Sequence, residues 1–269
     1  NLVFLRPLGP PTSSAESYAC VGYGASVQDL KTIADWQIGN GISNLCYIIP
    51  YSARGRRKRD YPSGIVPFQP YFKIADNFNL YLSRFCALSA ESENTAEVLL
   101  VSPLGQAEEM FGVGKENIYS DRLNEVVNIL EKKHISYHVT NANILRAYGS
   151  AEDKKLRVGK CVYSAAVCFT GEESGVLEKF RLSGGTVLLA DRDERWPEVL
   201  EPFRDCALCG DCTEDLRTGR FVLDDEEAVS VQNVSDRRIR FSVRSSAGKP
   251  GSRLDLISLR ETFSEVGGQ

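Results

Sequence analysis

The chain has 269 residues, of which 42% are hydrophobic and 25% charged, with a formal net charge of −4. That length buries a substantial core and holds two or so domains, while the acidic balance carries no general signature for nucleic acid or an anionic membrane. Eight cysteines are too sparse for a disulfide scaffold, and no apolar segment approaches the roughly 20 residues that span a bilayer, so the expectation is a cytoplasmic protein with reduced thiols.

Residues 1–11 show one short apolar run, no basic leader, no cleavage site and no element start. They suggest a fragment of a longer protein, without a signal peptide. PTSSAESYACVGYGAS follows as a short strand ending in a Gly-rich turn, with Glu16 in its middle. A lone Glu there is ordinarily solvated. Its place is what marks it, because the carboxyl end of a barrel strand is where barrel active sites are built.

Ser26 followed by Asp29 predicts a capped helix start, and Val27, Leu30, Ile33, Ala34 and Ile38 mark one apolar helical face. Gly39-Asn40-Gly41 predicts its end in left-handed backbone. The run 42–49 is nearly unbroken in its apolar character, which predicts a strand covered on both faces. The loop from Tyr51 to Tyr61 holds five basic residues, Arg54, Arg56, Arg57, Lys58 and Arg59. A solvated loop is the ordinary reading, nucleic-acid contact lacks any supporting motif, and pairing of Arg57 or Arg59 with Asp60 near a sugar is a third.

Pro70 opens a helix with Phe72, Ala75, Phe78, Leu82, Phe85 and Leu88 spaced for a buried face, and the stretch 89–97 has the character of a linker. Beyond it, strands at 98–103, 135–140, 160–170 and 185–191 alternate with helices at 121–133, 141–148, 173–183 and 196–203. That alternation predicts a parallel, doubly wound, flavodoxin-like sheet. The unit has neither a GxGxxG fingerprint nor a P-loop, so no cofactor is expected. Cys168, before Phe-Thr-Gly-Glu, has the look of an amidotransferase thiol, but His134 and His138 belong to no recognisable motif and a core cysteine is the simpler reading.

Cys206, Cys209 and Cys212 have ligand-like spacing but no Cys or His follows them, so a reduced thiol-rich connector is favoured over a metal site. From Phe221 onward short alternating segments predict an antiparallel β unit, a small sandwich or part of one.

Glu16-Ser-Tyr-Ala-Cys-Val-Gly22, Asp29-Leu-Lys31, Ala34-Asp-Trp-Gln37, Gly41-Ile-Ser-Asn44, Tyr51-Ser52, Gly55 and the basic run into Asp60-Tyr-Pro62 occur in an order that resembles the end of a (β/α)8 glycoside hydrolase barrel. The family resembled is the large β-galactosidase-like glycoside hydrolases, with Glu97-Val-Leu-Leu-Val-Ser-Pro103, Tyr137-His-Val139 and Ser183-Gly-Gly-Thr-Val187 similar to its second domain. The resemblance implies an α/β chain in three parts: the end of a (β/α)8 barrel (1–90), a flavodoxin-like domain related to the β-galactosidase trimerisation domain (97–205), and a small antiparallel β domain (218–269). It implies Glu16 as nucleophile, with Tyr51, Arg54, Arg57 and Asp60 lining a carbohydrate site. It also implies homo-oligomer formation, with no nucleic-acid or membrane partner. Two positions depart from the pattern: Ala19 replaces a usual glycine, and Cys46-Tyr-Ile-Ile-Pro-Tyr51 replaces a Pro-His and aromatic strand end. Retaining hydrolysis needs a second carboxyl about 5 Å from the first, and the family carries it on an earlier strand. The alternative is a non-catalytic carbohydrate-binding or assembly protein derived from such a hydrolase.

Overall fold

The computed structural model describes residues 12–22, 24–47, 69–93, 95–109, 117–224, 226–244, 252–254, 256 and 261–263. The chain opens with β1 (Ser14–Ser17), α1 (Val27–Gly39) and β2 (Asn44–Tyr47), and β2 lies parallel to β1. Helix α1 starts on the capping box that the sequence predicts, with Ser26 and Asp29 each bonding the other's backbone N–H. At its end Gly41 alone of the Gly39-Asn40-Gly41 triplet is left-handed, at φ +93°, whereas Asn40 keeps a negative φ.

A 3₁₀ turn at Pro70–Ile74 leads into α2 (Ala75–Glu91). Leu30, Ala34 and Ile38 of α1 and Leu82 and Phe85 of α2 form one core, against which Leu45 and Tyr47 of β2 pack. Phe72, expected on that buried face, is exposed, because it belongs to the 3₁₀ turn rather than to the helix that carries the stripe. Both helices thus cover the same face of the two strands. The expectation for the run 42–49 is corrected here, since Asn44 and Cys46 are exposed and Leu45 and Tyr47 half-buried. This alternation belongs to a strand covered on one side. The supposed linker 89–97 is also no free connector. Helix α2 buries Ser89, and Glu93 exchanges backbone hydrogen bonds with Val222 at 2.7 and 3.3 Å.

The second unit runs β3 (Val98–Val101), α3 (Leu104–Glu109), α4 (Asn117–Lys132), β4 (Tyr137–Thr140), α5 (Ala142–Tyr148), β5 (Gly149–Glu152), β6 (Lys155–Val158), β7 (Cys161–Tyr163), β8 (Ala165–Cys168), α6 (Gly175–Leu182), β9 (Thr186–Leu189) and α7 (Trp196–Val199). Its parallel sheet has the order β4-β3-β8-β9. Val98 and Leu100 join a core with Val126 and Leu130 of α4 and Trp196 of α7. Leu99 and Val101 join another with Leu145 of α5 and Leu177 and Phe180 of α6. Covered on both faces, β3 has no reason to alternate, and its four residues are all apolar and all buried.

The expected single strand at 160–170 is two. β7 pairs antiparallel with β6, which pairs with β5, and only β8 enters the parallel sheet. The β5–β6 turn places both Asp153 and Lys154 at positive φ, as a two-residue hairpin of this hand requires. Gly184 is left-handed, and a Cβ on Gly185 would lie 2.1 Å from the Phe180 ring, so this pair makes the tight return into β9.

The remaining strands are β10 (Ala207–Gly210), β11 (Leu216–Leu223), β12 (Glu226–Asn233), β13 (Phe241–Arg244), β14 (Ser252–Leu254) and β15 (Glu261–Phe263). Among the described residues they form the antiparallel pairs β10–β13, β11–β12 and β14–β15. The β11–β12 hairpin lies against α1, and its Phe221 stacks on Phe85 of α2 with ring centroids 5.7 Å apart. The first core is therefore completed by residues some 130 positions later in the chain. The chain is a mixed α/β protein with several sheets.

Candidate active site

Strand β1 is too short to carry much, yet its pleat sorts its residues. Ala15 and Ser17 are buried toward the helices, and Ser14 and Glu16 are exposed on the other side. The in-phase parallel register sets Ser14 beside Asn44 and Glu16 beside Cys46. Asn44 donates from Nδ2 to Ser14 Oγ at 3.2 Å. The open face of the sheet is thus a small polar surface with one carboxylate, and Glu16 has no hydrogen bond or ion pair among the described residues.

The buried side fixes the strand. Ser17 donates from Oγ to Gln37 Oε1 at 2.8 Å, tying β1 to α1 directly behind Glu16. Asp35 accepts from the Tyr81 hydroxyl at 2.8 Å and pairs with Lys31, which ties α1 to α2. Trp36 donates from its indole to Glu131 of α4 at 3.0 Å, and Glu131 also pairs with Arg217 of β11 at 3.2 Å. Asp35, Trp36 and Gln37 are therefore positioning residues, each holding α1 to a different neighbour. Resemblance singled them out as a motif, but their partners lie 46, 95 and 20 positions away and no local pattern points to them.

Past Glu16 the chain takes a contorted path. Tyr18, Cys20 and Gly22 sit at φ +69°, +57° and +82°. A left-handed tyrosine is strained by about 1–3 kcal/mol, a cost that persists where surroundings over-determine it, most often at functional sites. Here they do. Tyr18 is buried, donates to the Leu30 carbonyl at 3.1 Å and packs against the Tyr47 ring at 5.2 Å. Burial raises the Tyr18 phenol, and it pushes that of Tyr47 up to about 12, so both stay protonated donors at neutral pH.

The other expected lining residues, Tyr51, Arg54, Arg57 and Asp60, lie outside the described residues. Cys168 is a core thiol, buried, donating to the Leu188 carbonyl at 3.6 Å and pushed up to about 12 by desolvation. The nucleophile a thiol hydrolase needs is a thiolate, which that environment opposes. His138 is occupied by the Tyr163 hydroxyl at 2.9 Å, and His134 by the Thr213 carbonyl at 3.0 Å. Cys206 is buried while Cys209 is exposed, and among the described residues no group of three or more His, Cys, Asp or Glu could hold a metal ion. No helix among them is long and apolar enough to cross a membrane.

No protein-family model matches the sequence, and no curated protein matches it. A solved structure of a rhamnosidase from Novosphingobium sp. PP1Y is similar over 94% of this chain, with a TM-score of 0.64 and 12% identity. The chain spans 29% of that neighbour's length. The likeness is one of fold, over a mixed α/β architecture with several sheets.

Proposed function

We propose that the chain is the carboxyl-terminal part of a glycoside hydrolase, in which β1 and β2 are strands seven and eight of a (β/α)8 barrel and Glu16 is the nucleophile. The observation that carries this reading is the bare polar face of β1 and β2, with Glu16 on it and both helices on the opposite side. Helices outside and chemistry at the strand ends is the barrel arrangement. The strand order β4-β3-β8-β9 supports a flavodoxin-like second domain, since it is the order 2-1-3-4 in chain sequence. Separate cores for the first and second units support the division into 1–90, 97–205 and 218–269, with the β11–β12 hairpin seated on the first. Sugar class is left between a β-galactosidase-like substrate, implied by the sequence resemblance, and a rhamnoside, suggested by the structural neighbour.

In this mechanism Glu16 attacks the anomeric carbon as the bond to the aglycone oxygen breaks, and a second carboxylic acid gives that oxygen its proton. Water then cleaves the glycosyl ester and returns a proton to the second group. Gln37, through Ser17, keeps β1 turned so that Glu16 faces the sugar. The described open face offers no second carboxyl, so the acid/base comes from another part of the natural polypeptide.

The test is Glu16→Gln in the native full-length protein, assayed on aryl β-galactosides and aryl α-rhamnosides. Turnover should fall at least about 10³-fold, the scale of losing a positioned catalytic carboxylate. Undiminished turnover would remove Glu16 from the mechanism. Hydrolysis of neither aryl glycoside by the unsubstituted protein would favour the non-catalytic binding or assembly reading.

A further inference from the structure

The parallel sheet of the second unit changes direction of assembly at β3, with β4 added on one side and β8 on the other. At such a point the loops leaving the carboxyl ends of neighbouring strands diverge and open a crevice, which is where open α/β sheets bind ligands. The crevice is present here. A cleft of about 400 Å³ lies among residues that follow β3, β4 and β8 in the chain, within the span of about 300–1,000 Å³ common for small-molecule sites.

Its polar groups are arranged for a ligand rather than for one another. Glu172 lines the cleft although the residue keeps only 3% relative exposure. One of its oxygens accepts the Gln106 N–H at 3.0 Å, and the other has no donor among the described residues. Gly105 is what admits the carboxylate, because a Cβ there would lie 3.0 and 3.2 Å from its two oxygens. Asn141 spends its side-chain oxygen on capping α5, at 2.9 Å from the Ile144 N–H, which leaves its amide N–H groups available. Arg146 is exposed at the rim and has no ion pair among the described residues. Buried polar groups are normally satisfied, so a Glu172 carboxylate with one oxygen left to the cleft calls for an occupant.

The charge of the lining excludes one class of occupant, and its mixture of donors and acceptors points to another. Glu108, Glu109 and Glu172 oppose Arg146 alone, so a phosphate or carboxylate would meet net repulsion. Carboxylates only accept hydrogen bonds, guanidinium and amide N–H groups only donate, and a sugar hydroxyl does both. We infer that the cleft at the carboxyl ends of β3, β4 and β8 is a second carbohydrate-binding site, separate from Glu16 and selective for neutral polyhydroxylated ligands. The inference does not rest on the catalytic reading of Glu16.

The experiment is an amide-shift titration by NMR of the 269-residue chain with D-galactose and with L-rhamnose, alongside spermidine and inorganic phosphate. A neutral sugar should give saturable shifts at Gly105, Asn141 and Glu172. Arg146→Ala, at an exposed position, and Glu172→Gln should each weaken that binding about tenfold, the loss of one hydrogen bond to a charged group, while Glu16→Gln leaves it unchanged. The inference is overturned if neither sugar shifts those amides, if spermidine or phosphate shifts them in place of the sugars, or if Arg146→Ala binds as tightly as the unsubstituted chain.

Discussion

Replacing Gly219 by alanine should open the seam between α1 and the β11–β12 hairpin. A Cβ at position 219 would lie 2.6 Å from the Gly39 Cα and 2.7 Å from the Gly39 carbonyl oxygen. Both are backbone atoms in the last turn of α1, so no side-chain rotation relieves the overlap. The reverse substitution is different, since a Cβ on Gly39 meets the Gly219 Cα and Ser230 Oγ at an ordinary 3.8 Å. Overpacking costs about 1–3 kcal/mol, whereas alanine in place of a helical glycine gains up to about 1 kcal/mol. For a chain of this size each kcal/mol moves the melting temperature by roughly 2–4 °C. Thermal and urea unfolding of the chain should therefore show Gly219→Ala several degrees below the unsubstituted protein and Gly39→Ala level with it or above. Equal melting of Gly219→Ala and the unsubstituted chain, or a larger loss for Gly39→Ala, would refute the packing argument.

Stability should also fall on acidification through a window just below pH 6.5. Burial holds the His134 imidazole below its ordinary value of 6.5, so protons bind the unfolded chain first. Its contribution is complete above that value and is lost as pH drops through the lowered one. His134→Gln should flatten this part of a stability-versus-pH curve, and an unaltered slope would show that another group controls it. Thiol alkylation followed by mass spectrometry should label exposed Cys20, Cys46 and Cys209 early, and Cys168 and Cys206 only on unfolding. Burial raises both of the latter to about 12, and early labelling of either in the native state would contradict the packing described here.

Short-range chemistry was legible from the residues. The Ser26–Asp29 capping box, the left-handed Gly41 and the strand at β3 follow from which atoms adjacent residues can bond and which faces they can hide. The mixed α/β character followed from the same signals, as alternating helices and strands leave a parallel sheet as their compact arrangement. Glu16 entered through resemblance, and its environment on the bare face required the register of β1 against β2.

Tertiary structure alone decided the rest. Ser164 divides one apolar run between two sheets, because its neighbours on either side find different partners. The β5–β6 turn uses Asp153 and Lys154 without glycine, a conformation that pairing of the flanking strands imposes. Trp36 meets Glu131, Phe85 meets Phe221, and the cleft beside Glu172 draws its walls from three separated strand ends. Caps and periodicity act within one or two turns of chain and are written locally. Which distant face covers a given apolar stripe depends on the competition among all such faces for burial, and that is settled only when the whole chain packs.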